Sequence, residues 1–141
     1  MKKWIDEAVE SDAKILIGGN KKGPFIEPTV ITDVKHDMKV VCEEIFGPVI
    51  TLIPYNDLDE AIKQANDSDY GLQSGIYTES IQTAKYAAEK LKTGGVIIND
   101  ASTYRADLMP YGGIKDSGIG REGPAFTVKE MTEIKTIVFD F

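Results

Sequence analysis

The alternation of apolar and polar positions divides the chain into short elements. In KKWIDEAVES, Trp4, Ile5, Ala8 and Val9 share one helical face, and AKILIGG reads as a short strand stopped by Gly18 and Gly19. PFIEPTVITDV holds Pro24 and Pro28, so it is expected to be extended but not a central strand. GPVITLIPY, a β-branched run between Pro48 and Pro54, predicts a buried strand. Asp57 can cap a helix in which Asp59 and Glu60 favour the N-terminal dipole and Leu58, Ala61, Ile62 and Ala65 recur at helical spacing. QSGIYT predicts a brief strand. Ser80 then starts a helix with Ile81, Ala84, Ala88 and Leu91 on one face, closed by Gly94 and Gly95, and GVIIND follows as a strand. Strand, helix and strand at this spacing form a βαβ unit with a parallel pair.

Beyond it, DASTYRADLMPYGGIKDSGIGREG has little periodicity, and an irregular stretch of that length in a folded protein is usually functional. Pro124 opens a short helix with Ala125, Val128 and Met131. The final EIKTIVFDF alternates with Ile137, Phe139 and Phe141 on one side. Such a strand left bare invites aggregation, so it is expected to pair with another subunit or with protein outside this chain. The fold class expected is α/β, a partly parallel sheet with flanking helices.

Composition narrows the function classes. With 141 residues, 42% of them apolar, the chain suits one modest core. A net charge of −7 without a basic stripe argues against nucleic-acid binding. No apolar run has the length of a membrane span and MKKWIDEAVES has no signal-peptide core, which points to a cytoplasmic protein with no membrane partner. One cysteine excludes an internal disulfide, and one histidine makes a histidine-based metal site improbable.

Candidate chemistry begins with near misses. GIGREG matches G-x-G-x-x-G by letter, yet polar KDS precedes it and Pro124 delays the helix, so a dinucleotide fingerprint is rejected in favour of a glycine-rich turn. Glu43 and Glu44 alternate across an extended chain, so at most one faces a site. Cys42 with His36 and a neighbouring glutamate would suggest a thiol hydrolase. No cation cluster or helix N-terminus follows Cys42 to stabilise a thiolate, and in the run Val40, Val41, Cys42 it reads as a small apolar residue.

EEIFGPV, YGLQSGIYT, LKTGGVIIND and MPYGGIKDSGIGREG, in that order, resemble the C-terminal part of the NAD(P)-dependent aldehyde dehydrogenases, with weaker similarity from WIDEAV to EIKTIV. The resemblance implies that residues 1–132 are catalytic-region sequence and 133–141 an oligomerisation strand, giving a homo-oligomer. It implies that Glu44 accepts hydrogen bonds from the nicotinamide-ribose hydroxyls of NAD or NADP and that Phe46 packs against that end of the cofactor. An acceptor-only carboxylate suits a vicinal diol, and an aromatic face orients the ring. Alternation would set Glu44 and Phe46 on the same side. The loop from Asn99 to Gly113 would line the entry of a small aldehyde substrate, with Asp100, Tyr104, Arg105 and Tyr111 as candidates. Arg105 suits a carboxylate or phosphate on the aldehyde. Its NDASTYRADLMP form resembles members acting on small polar aldehydes, and Tyr111, in place of the usual phenylalanine, adds a hydroxyl.

Family members use a cysteine nucleophile and a glutamate base to turn an aldehyde into a carboxylic acid. Both lie in segments, along with the main cofactor domain, that match nothing here. No catalytic residue is therefore assigned, Cys42 is read as a bystander, and this piece is expected to be inactive alone. The alternatives are a non-enzymatic, self-associating remnant and, less favoured, the thiol hydrolase using Cys42.

Overall fold

The computed structural model describes residues Met1–Phe141, which divide into two compact units, Met1–Asn56 and Asp57–Phe141.

The first unit holds α1 (Lys2–Glu10), β1 (Lys14–Ile17), β2 (Lys21–Lys22), β3 (Phe25–Ile26), β4 (Thr29–Thr32), α2 (Lys39–Cys42) and β5 (Val49–Thr51). β4 is the middle strand of a three-stranded sheet, antiparallel to β1 and parallel to β5. This corrects the expectation drawn from Pro24 and Pro28: both precede the ladder, so every residue of β4 keeps its N–H. β5 is not buried as expected, because it lies at the sheet edge with Ile50 exposed. The core gathers Ile5, Ala8, Ala13, Ile31, Met38 and Val40, with Trp4, Val34, Val41, Ile45 and Val49 packed around it. Val9, assigned to the same helical face, is exposed.

Thr29 ties this unit together. It is 1% exposed, and its hydroxyl accepts a hydrogen bond from Gly19 N (2.9 Å) while donating to Glu27 O (2.7 Å). Its own N–H donates to Pro48 O at 2.8 Å. Gly18 turns the chain beside it with φ +75°, and a Cβ there would strike the Pro28 carbonyl.

The second unit holds α3 (Leu58–Asn66), β6 (Tyr70–Gly71), β7 (Gln73–Ile76), α4 (Ile81–Lys90), β8 (Gly95–Ile98), β9 (Ile114–Lys115) and α5 (Pro124–Glu130). β7 and β8 run parallel with Gln73 to Ile76 opposite Gly95 to Ile98, which is the βαβ unit expected around α4. Both caps form as read: Asp57 accepts from Glu60 N at 2.8 Å and Ser80 from Thr83 N at 3.2 Å. The buried face of α4 is set by Ala84 and Ala87 rather than Ile81 and Ala88, since Ile81 is 74% exposed. α3 packs on α4, and Ile62 is its buried residue. β6 pairs antiparallel with β9, and the Ser117 hydroxyl accepts from Gly71 N at 2.9 Å. The terminal residues 133–141 form no strand within this chain, and Ile137, Val138, Phe139 and Phe141 are exposed. No helix is long and apolar enough to cross a membrane.

Two outcomes follow from these contacts. Replacing Thr29 by valine keeps the shape but leaves Gly19 N–H and Glu27 C=O unpaired, so urea unfolding should show a loss of about 1–3 kcal/mol. Serine should cost less, and a valine variant as stable as the serine one would contradict this account. The second concerns Tyr86, whose hydroxyl donates to Asp59 Oδ1 at 2.6 Å; this bond, with desolvation and the aspartate charge, raises the phenol pKa. The bond's contribution is then complete below the unfolded tyrosine value of about 10 and is lost as pH rises through the higher folded value. Tyrosinate absorbance should show one late-titrating tyrosine that shifts down in Asp59→Asn.

Candidate functional site

In the first unit the candidate residues follow α2 directly. Met38 and Val40 are buried, fixing the one-turn helix to the core, and Cys42 closes it half-buried. The Cys42 thiol donates to the Asp37 carbonyl at 3.7 Å. Glu43 is extended (φ −116°, ψ 157°). Ile45 then packs on the core, while Glu44 and Phe46 to either side are exposed. Phe46 has φ +46°, so the alternation expected to carry Glu44 and Phe46 on one extended face ends at Phe46. The left-handed region costs a residue with a Cβ about 1–2 kcal/mol.

Two bonds hold Phe46 there. Val49 N donates to Gly47 O at 2.8 Å across Pro48, and Pro48 O is the acceptor of Thr29 N. The result is a fixed turn presenting an aromatic ring 84% exposed beside a carboxylate that has no hydrogen bond or ion pair in the structure. An acceptor-only group and an uncovered ring fit a hydroxylated, flat ligand.

In the second unit the irregular loop begins at Asn99, which has φ +59°. Its side-chain amide pairs both ways with Thr78, accepting from Thr78 N at 2.7 Å and donating to Thr78 O at 3.0 Å. Asp100, one of the candidates, turns its carboxylate onto Ala101 N at 2.7 Å. Gln73 on β7 donates to the carbonyls of Ser102 (2.8 Å) and Tyr104 (3.2 Å). Arg105 stacks over the Tyr111 ring, 4.6 Å from its centroid, and its Nη2 donates to Glu122 Oε2 at 3.0 Å. Tyr111 and Glu122 are themselves joined by an antiparallel bridge, Tyr111 N to Glu122 O at 3.1 Å and Glu122 N to Tyr111 O at 2.6 Å.

Arg105 and Tyr111 are thus brought together, while Tyr104, the preceding residue in the chain, is half exposed. Two residues of this arrangement escaped the sequence reading. Glu122 lies 17 residues from Arg105, and nothing in its spacing announces the pair. Gln73 lies in a strand, where an amide reads as ordinary polarity. Arg121 donates to the carbonyls of Gly113 (3.0 Å) and Gly120 (2.6 Å), which makes it a brace for the turn. A cavity of about 260 Å³ opens beside the bridge, lined among others by Leu72, Tyr111, Ser117 and Glu130. A cleft of similar volume in the first unit, between Trp4, Glu7 and Lys39, holds none of the candidate residues. There the Lys39 ammonium hydrogen-bonds Glu7 and holds its carboxyl below the usual range.

Comparison with known proteins gives one answer. The model of the aldehyde dehydrogenase family matches residues 1–137. A 3-sulfolactaldehyde dehydrogenase of Priestia megaterium is 50% identical over 140 residues, 99% of this chain and 29% of that protein. A lactaldehyde dehydrogenase of Methanococcus aeolicus is 44% identical over 138 residues, covering 98% of this chain and 30% of the relative. Among solved structures, aldehyde dehydrogenase 21 of Physcomitrella patens in complex with the reaction product succinate superposes with a TM-score of 0.91 at 52% identity. That match covers 94% of this chain and 27% of the other. A glyceraldehyde-3-phosphate dehydrogenase of Methanocaldococcus jannaschii complexed with NADP gives 0.91 at 42% identity, over 96% and 29%. The chain therefore spans less than a third of the length of these relatives.

Because the Phe46 ring is uncovered and its backbone strained, Phe46→Gly should leave stability within about 1 kcal/mol of the parent, relief of strain offsetting the added freedom of glycine. Ile45→Ala, which removes a core contact, should cost more in the same urea titration. Equal losses at both positions would mean that Phe46 serves the fold.

Proposed function

We propose a function from one premise: the chain belongs to the aldehyde dehydrogenase family. On our reading it is a portion of an enzyme that oxidises an aldehyde to a carboxylic acid with NAD or NADP, and is cytoplasmic. The solved relatives include complexes with NADP and with NAD+, which supports that cofactor choice. Glu44 takes the nicotinamide-ribose hydroxyls as a charged acceptor, and Phe46 flanks the nicotinamide. The observation that carries this reading is the pairing at Glu44–Phe46 of an unpartnered carboxylate with an exposed ring in a left-handed turn. Bound cofactor supplies the hydride acceptor; the residues of this chain orient it, and orientation contributes much of the rate in such reactions.

Tyr104, Arg105 and Tyr111 form a wall of the aldehyde entry. Arg105 uses one edge for Glu122 and one face for Tyr111, which leaves N–H donors for an anionic group on the substrate. The names of the relatives favour small polar or anionic aldehydes: sulfolactaldehyde, lactaldehyde and glyceraldehyde 3-phosphate. Neither a nucleophile nor a base is assigned within these residues, and the chain alone is proposed to be inactive. Residues 133–141 serve homo-oligomerisation, a role supported by the exposure of Ile137, Val138, Phe139 and Phe141.

The test uses the intact enzyme that carries this segment, following nicotinamide absorbance. Glu44→Gln should lower kcat/KM by about tenfold or more through the cofactor KM, as expected for a charge-assisted hydrogen bond. Arg105→Leu should lower kcat/KM for an anionic aldehyde by a similar factor and leave a neutral one little changed. Full activity in Glu44→Gln would remove the cofactor assignment; turnover by the 141-residue chain alone would remove the claim of inactivity.

A further inference from the structure

The irregular loop is held on the strands beneath it by Gln73, the first residue of β7. Its two acceptors, the Ser102 and Tyr104 carbonyls, lie 29 and 31 residues downstream. The other end of the amide, Oε1, is buried with no hydrogen-bond partner, 2.8 Å from where a Cβ on Gly95 would stand. The whole donor capacity of the side chain is therefore directed to the loop. Turning the amide over would set its oxygen against two carbonyl oxygens.

Small residues make the seat. A Cβ on Gly75, two residues along the same strand, would come within 2.9 Å of Asp100 O. A Cβ on Gly95 would press on the Gln73 side chain. The loop thus lies against bare backbone, and between its anchors at Asn99 and Arg105 it is pinned by one long amide. The second pinned carbonyl is that of Tyr104, whose peptide plane leads directly into Arg105. From there the guanidinium reaches the Tyr111 ring and Glu122.

We propose that Gln73 is the positioning residue of the substrate-facing loop: by holding the Ser102 and Tyr104 carbonyls it places the Arg105 guanidinium to receive an aldehyde that carries an anionic group. This rests on the reading of Arg105 as the substrate contact. A primary amide of this length offers two donors in one plane at that point. Gln73→Met keeps the approximate shape without donors, and Gln73→Glu sets carboxylate oxygens against the carbonyls.

Two readouts separate the claim from its premise. Hydrogen exchange on this chain should rise by about tenfold or more across residues 100–106 in both variants, while α4 keeps its protection. In the intact enzyme, kcat/KM for a sulfonate- or carboxylate-bearing aldehyde should fall about tenfold relative to a neutral aldehyde of the same length, mainly through KM. Unchanged exchange in both variants overturns the positioning role. Raised exchange with an unchanged anionic-to-neutral ratio overturns the link to specificity, provided Arg105→Leu does change that ratio. If Arg105→Leu leaves the ratio unchanged, the substrate reading fails instead, and with it the specificity role of Gln73, while the exchange result stands as evidence about the loop alone. Should one variant fail to fold, the other carries the same comparison.

Discussion

A peptide group that leaves a helix or a ladder must still find a hydrogen-bond partner, and this chain places its candidate chemistry where ladders are absent. Side chains provide the missing partners. Thr29 serves Gly19 and Glu27, Asn99 serves both polar groups of Thr78, Gln73 serves Ser102 and Tyr104, and Asn66 takes Lys92 N while donating to Lys90 O at the end of α4. Each of these replaces a repeating ladder with two bonds from one side chain. The irregular segments are thereby fixed in place at the cost of depending on individual residues.

What was legible in the sequence divides along the same line. Local rules succeeded: Asp57 and Ser80 cap their helices, Pro124 opens α5, and the strand–helix–strand pattern gives the parallel pair β7 and β8. Rules of thumb about proline failed at β4, because the two prolines lie before the ladder and leave its donors intact. The buried face of α4 lies one step around the helix from the one expected, since Ile81 suggested burial by its type while the residues buried are Ala84 and Ala87. Small residues let helices approach, and no periodicity score separates that from an alanine placed for propensity alone.

The candidate arrangement was only partly legible in the sequence. The motifs pointed to Glu44, Phe46, Tyr104, Arg105 and Tyr111, and the structure joins Arg105 to Tyr111. The sequence alone could not single out Glu122 or Gln73, whose partners are far away in sequence and are met only when strands and bridges form. Alternation also gave the wrong account of Phe46, because it presumes φ below zero at every step.

Phe46 shows most directly how strain and exposure together separate a site from a core. A buried aromatic in a left-handed backbone could be maintained by its packing, and an exposed aromatic in an ordinary backbone would need no explanation. Here the ring is 84% exposed and the backbone has φ +46°, so packing of the ring within this chain does not offset the conformational cost. The compensation comes from the turn: Gly47, Pro48 and the Thr29 N–H hold the neighbouring backbone whatever stands at position 46. Glycine would satisfy that backbone with less strain. The structure thus contains a reason for the turn and none for the ring, and on the proposed reading the reason for the ring is the nicotinamide it flanks.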